Sequence, residues 1–212
     1  MTLPPGDPLQ LLDWKRRIFE LYAEVRAASD ARAAWDRWRS ERDDLFAHHP
    51  QSPIPPEERP GFAGLRYFDY ASSARVLAEV SPAPEQAIEI QGSAGESFRA
   101  TRFAVASFSL GGAGAALEAY WLEGYAGGLF VSFRDGTAGS ETYGAGRYLL
   151  DTVKGADLGT ASGKLVLDFN FAYNPSCAYD PRWACPLAPP ANRLNIPIRA
   201  GEKAPRTGEG PP

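Results

Sequence analysis

Along the first fifty residues, apolar side chains return every three or four positions. Leu11, Trp14, Ile18, Leu21 and Val25 form one stripe, and Ala31, Trp35, Trp38 and Leu45 form a second. That spacing is the period of an amphipathic helix. Ser29-Asp30, between the stripes, supplies a break and a capping residue, so two helices are expected. His48 to Pro60 holds five prolines and reads as an extended crossing. Beyond Gly61 the period changes to two. Val76, Ala78 and Val80 alternate with Arg75, Leu77 and Glu79; Ile88 and Ile90 alternate with Glu89 and Gln91; Leu129, Val131 and Phe133 repeat the pattern before Asp135-Gly136. Such alternation marks half-buried strands. Turn signals at Pro82-Ala83-Pro84, Gly92 to Gly95, Gly111 to Gly114 and Gly124 to Gly128 come at short intervals, which suits antiparallel strands.

The pattern predicts one α+β unit. A helical segment over residues 1–50 packs on a mainly antiparallel, β-barrel-like or β-sandwich core over 51–203, followed by a polar, Gly/Pro-rich tail over 204–212 that is expected to be mobile. One stretch imitates something else. Phe103 to Leu110 followed by Gly112-Ala113-Gly114 resembles a strand entering a dinucleotide-binding loop, and Leu129 to Phe133 with Asp135 imitates its second strand. Leu117 stands where the third glycine belongs, and Gly124 leaves too little chain for the crossover helix. A glycine-rich hairpin explains the same residues.

Composition narrows the function classes. The chain has 212 residues and is 44% apolar, enough for a full core without staples. A net charge of −4 argues against a nucleic-acid-binding domain. The eight basic and nine acidic residues of the first fifty are interspersed, as on a solvated helix face. The longest uncharged run, Phe103 to Leu117, spans 15 residues with three glycines, short of the ~20 that a membrane-spanning helix needs. Met1-Thr2-Leu3-Pro4-Pro5-Gly6 has neither a basic residue nor an apolar stretch, so a cytoplasmic protein is expected.

The last quarter carries the candidate chemistry. In Leu165 to Phe171 a strand would send Leu165, Leu167, Phe169 and Phe171 one way and Val166, Asp168 and Asn170 the other, so that the two polar groups could converge on one small ligand. Upstream, Glu141, Tyr143 and Arg147 alternate in a glycine-rich segment, where Glu141 and Arg147 could pair or Arg147 could hold an anion. The candidate site is therefore His49, Ser52, Tyr143, Arg147, Asp168, Asn170, Asn174, Cys177 and Asn192. Asp168 or Cys177 would be the reactive group, with His49 or its neighbour His48 as the base a cysteine nucleophile needs. Ser52, Tyr143, Arg147, Asn170, Asn174 and Asn192 would bind the ligand, a small anionic or polar molecule that is bound and, in the enzymatic version, hydrolysed. The alternative is a non-catalytic module in which the same amides only brace the proline-rich C-terminal segment, as Asn and Asp commonly do in turns. The histidines are adjacent and the two cysteines, Cys177 and Cys185, stand eight apart, so no four-ligand metal site is expected; free, disulfide-bonded and metal-bound thiols all stay open. No serine-nucleophile elbow, zinc-protease or phosphate-loop signature occurs, and no cofactor is specified. The helices around Trp14, Trp35 and Trp38 either pack on the protein's own sheet or dock a second copy as a homodimer.

The TYGAGRYL segment, LDFNFAYNPSCAY, the Cys185-Pro186 dipeptide, Asn192-Arg193-Leu194 and the terminal Ala200-Gly201-Glu202-Lys203 together resemble a bacterial and archaeal family known only as a domain of unknown function. His49-Pro50-Gln51-Ser52-Pro53 and Phe62-Ala63-Gly64-Leu65 fit the same family, and the resemblance spans roughly residues 35 to 203. It implies a single globular unit and brings no activity with it.

Overall fold

A computed structural model describes residues 7–125 and 127–205. Most of the expected mobile tail, residues 206–212, lies outside the described residues. Two helices come first: α1 (Pro8–Ala27) and α2 (Ala31–His48). Asp7 caps α1 by accepting from the Leu9 amide, and Asp30 caps α2 by accepting from the Arg32 and Ala33 amides. Seven strands follow: β1 (Arg75–Gln91), β2 (Ser97–Leu110), β3 (Ala113–Leu122), β4 (Gly128–Phe133), β5 (Arg147–Asp151), β6 (Thr160–Ala161) and β7 (Lys164–Asp168). They form one antiparallel sheet in the order β5-β4-β3-β2-β1-β7-β6. The sheet curls until β5 and β7 touch, but among the described residues no ladder joins them, so it is not a closed barrel.

The imitation nucleotide loop is the β2–β3 hairpin. Gly111 and Gly112 both have positive φ, the backbone that a two-residue turn requires, and Leu110 pairs with Ala113. The Pro82-Ala83-Pro84 signal, by contrast, does not end a strand. It is a bulge inside β1, where pairing with β2 breaks after Pro82 and resumes at Gln86. A bulge tolerates prolines because its residues need no ladder donor. The His48–Pro60 crossing is a series of turns that ends in a short 3₁₀ turn at Arg59–Gly61.

The helical stripes are buried in the chain's own core. Ile18, Leu21, Tyr22, Trp35, Trp38, Leu45 and Phe46 share one cluster with Ala104, Leu117, Val131, Leu149, Leu167 and Phe169 of the β region. Trp35 also donates its indole N–H to the Asn170 carbonyl at 2.9 Å, tying α2 to the turn after β7. On its outer face α1 leaves Leu9, Leu12 and Phe19 exposed. The chain beyond β7 has little regular structure. It winds around the sheet, bridging Tyr173 to Tyr148, Pro186 to Gly92, Arg193 to Arg134 and Glu202 to Tyr67. Among the described residues, no helix is long and apolar enough to cross a membrane.

Candidate functional site

Four of the nine candidate residues hold this winding segment in place. Arg147 is fully buried, and its guanidinium donates to the carbonyls of Ala200, Ile198 and Glu202 and to Asp135 Oδ1. Burial pushes the guanidinium down from its ordinary pKa, and Asp135 draws it back up. Asp135 Oδ2 in turn accepts from the Ile198 amide at 2.7 Å. Arg147 thus pairs with Asp135; the expected partner Glu141 pairs instead with Arg199 at 2.9 Å. Asn192 is equally buried. It accepts from the Glu118 amide at 2.7 Å and donates to the Glu118 and Ser132 carbonyls, pinning the coil across β3 and β4. Asn174 donates to the Lys203 carbonyl at 2.8 Å. Asn170 exchanges two hydrogen bonds with the Ala71 backbone and gives a third to Asp168. It lies in a 3₁₀ turn, Phe169–Phe171, because β7 ends at Asp168. The expected alternation therefore stops at Asp168, and Asn170 reaches Asp168 through the turn and not from a shared strand face.

The reactive candidates separate. His49 accepts from the Gln51 amide at its Nδ1, has Nε2 3.2 Å from Asp13, and packs edge-on against Trp14. Ser52 donates to the Phe46 carbonyl and accepts from the Ile54 amide, which fixes the turn after α2. Neither histidine hydrogen-bonds Cys177 among the described residues. His48 binds Asp44 instead. Cys177 lies half-buried beside Tyr143, with the phenol oxygen 3.8 Å from its sulfur, and both cysteines are free thiols.

Asp168 alone opens onto a cleft of ligand size. Its Oδ1 accepts from both nitrogens of Asn170, while among the described residues Oδ2 accepts no hydrogen bond and has the Arg75 guanidinium 3.9 Å away. Burial raises its carboxyl pKa above the ordinary value, against the lowering effect of Asn170. Arg26, Ser29, Arg75, Thr160 and Asp168 line a cleft of about 390 Å³ between the α1–α2 connection and the β1/β7/β6 edge. A second chamber, beside Tyr22, Arg42, Tyr173 and Asn174, holds about 60 Å³, the scale of two water molecules.

Two features are missing from the sequence reading. Arg26 and Arg75 line the cleft, yet each looked like an ordinary surface charge. Arg42 and Glu202 form a buried ion pair at 2.8 Å. Arg42 could have been found, because Trp35, Trp38, Arg42 and Leu45 follow one three-four-three spacing, which puts a charge inside an apolar stripe.

These elements define an α+β protein in which a helical hairpin seals a curled antiparallel sheet and a stapled C-terminal coil completes the core. Residues 60–203 match the family described as Protein of unknown function (DUF1684), and the chain belongs to that family. It is also similar to the uncharacterized protein from gene locus rrnAC0354 of Haloarcula marismortui, known from a solution NMR structure. The two are 36% identical over 84% of this chain and 97% of that one, with a TM-score of 0.59. No curated protein matches the chain.

Proposed function

We propose that the protein binds a small polar molecule that carries both an anionic group and a hydrogen-bond donor, in the cleft beside Asp168. The observation that supports this reading is an under-used carboxylate oxygen of buried Asp168 beside the Arg75 guanidinium, in a cleft that Arg26, itself bound to Asp157, also lines. A volume of about 390 Å³ falls in the usual range for small-molecule sites. Arg75 would take the carboxylate or phosphate of the ligand, and Asp168 Oδ2 would accept from its hydroxyl or ammonium group. In this reading the anion anchor is Arg75 and not Arg147, which is fully buried and whose two terminal nitrogens are already engaged. Asn170, Asn174 and Asn192 brace the scaffold, and Asn170 also fixes the rotamer of Asp168.

Thermal-shift screening of small hydroxy acids, amino acids and sugar phosphates tests the proposal, because a ligand bound only to the native state raises the melting temperature. At least one compound should stabilise the wild type, and Arg75→Ala and Asp168→Asn should each abolish that shift while still unfolding cooperatively. A hit that survives both substitutions, or no hit across the panel, overturns the reading.

A further inference from the structure

The two cysteines form a site of their own, away from the Asp168 cleft. Cys177 follows β7 and its 3₁₀ turn, in the Asn174-Pro175-Ser176 stretch, whereas Cys185 is held against the β1–β2 hairpin. There the Cys185 amide donates to Ser93 Oγ at 3.1 Å, and the Ser93 amide donates to the Cys185 carbonyl at 3.0 Å. The two thiols are nevertheless hydrogen-bonding neighbours, and that interaction is the leading influence on the ionisation of each. The Tyr143 hydroxyl approaches the same sulfur from a third segment, at 3.8 Å. Ser93 Oγ is within reach as well, its proton going either to the Trp183 carbonyl at 3.1 Å or to the sulfur. Cys177 is partly open to solvent and Cys185 is buried. The arrangement is therefore asymmetric: a partly exposed cysteine with donors around its sulfur, and a second, buried one as its neighbour.

We propose that Cys177 and Cys185 are a redox-active dithiol in which Cys177 is oxidised by a hydroperoxide and Cys185 resolves it to an intramolecular disulfide. In the first step the Cys177 thiolate attacks the terminal oxygen of the peroxide; the O–O bond breaks, the leaving alkoxide or hydroxide takes a proton, and Cys177 becomes a sulfenic acid. In the second, the Cys185 sulfur attacks the Cys177 sulfur; the S–O bond breaks, the thiol proton leaves with the hydroxide as water, and the disulfide forms. Two electrons have passed from the two thiols to the peroxide, and an external dithiol restores the pair by exchange. The donors around Cys177 favour the thiolate: hydrogen bonds, that from Cys185 foremost, lower its pKa to about 6 despite partial burial, while Cys185 and Tyr143 are both raised.

The test is peroxide titration of the intact protein, followed by thiol counting and peptide mapping. One equivalent of hydrogen peroxide should remove both thiols and leave a Cys177–Cys185 disulfide within a single chain, and a small dithiol reductant should reverse it. In Cys185→Ser the sulfenic acid on Cys177 should persist and be trapped by dimedone; in Cys177→Ser, Cys185 should stay reduced. Tyr143→Phe should move the pH midpoint for alkylation of Cys177 upward. Two thiols that survive peroxide, a disulfide only between chains, or oxidation of Cys177 beyond sulfenic acid with Cys185 untouched would each overturn the proposal. The wild-type peptide map decides the matter even if a variant fails to fold.

Discussion

Arg147 illustrates how a charged side chain in a core can act as backbone glue. Its donors satisfy three carbonyls of a coil that has no strand partner to satisfy them. Arg147→Lys keeps the charge but loses the planar fork, so two of those acceptors should be stranded. We expect a loss of about 1–3 kcal/mol, read from the denaturant midpoint at unchanged slope. Glu202 sets a pH dependence. Burial holds its carboxyl pKa at about 6, above the ordinary 4.5, against the pull of Arg42. Between those two values the folded protein still carries a proton that the unfolded chain has released, so this group's contribution to stability falls as the pH rises through that window. Glu202→Gln should remove that part of the stability-versus-pH slope; an unchanged slope would mean that the dependence arises elsewhere.

At the scale of elements, one tight point governs how the coil docks. Gly201 has φ of +75°, and a Cβ there would meet the Phe169 and Ala172 carbonyls at 2.6 Å. Gly201→Ala should therefore detach the end of the coil from the turn after β7. The melting temperature should fall by several degrees, since about 1 kcal/mol moves a protein of this size by roughly 2–4 °C. Helices, hairpins and the false nucleotide loop were legible in the sequence because their periods and turns are local. The Pro82–Pro84 bulge was not, because a proline cluster reads the same whether a strand ends or only kinks. The sequence also pointed to Asp168, Asn170, Asn174 and Asn192 as polar groups that could brace the C-terminal coil. What it hid was the identity of their partners, since Ala71 and Glu118 contribute backbone atoms that no side-chain pattern announces. Arg75 was hidden for a similar reason: it joins Asp168 only through the β1–β7 register, in which the two residues face each other.

Across the whole molecule, helices and sheet share one apolar cluster, so they should unfold together. Fluorescence and circular dichroism should report a single coincident transition, and a chain beginning at Gln51 should bind a hydrophobic dye and lack fixed tertiary signals. Two separate transitions would show that the β region is stable without α1 and α2. The Arg42–Glu202 pair also bears on how the protein is made. Its two members are 160 positions apart, with the basic one near the start of the fold and the acidic one near its end. On the ribosome, α2 emerges early but cannot lodge its guanidinium in the core until its counter-ion has followed, because an unpaired buried charge is strongly unfavourable. Synthesis therefore imposes a waiting period. Nascent chains arrested with Asn195 at the tunnel exit should be cut readily by protease, and those arrested far enough downstream to release Glu202 should become resistant in one step.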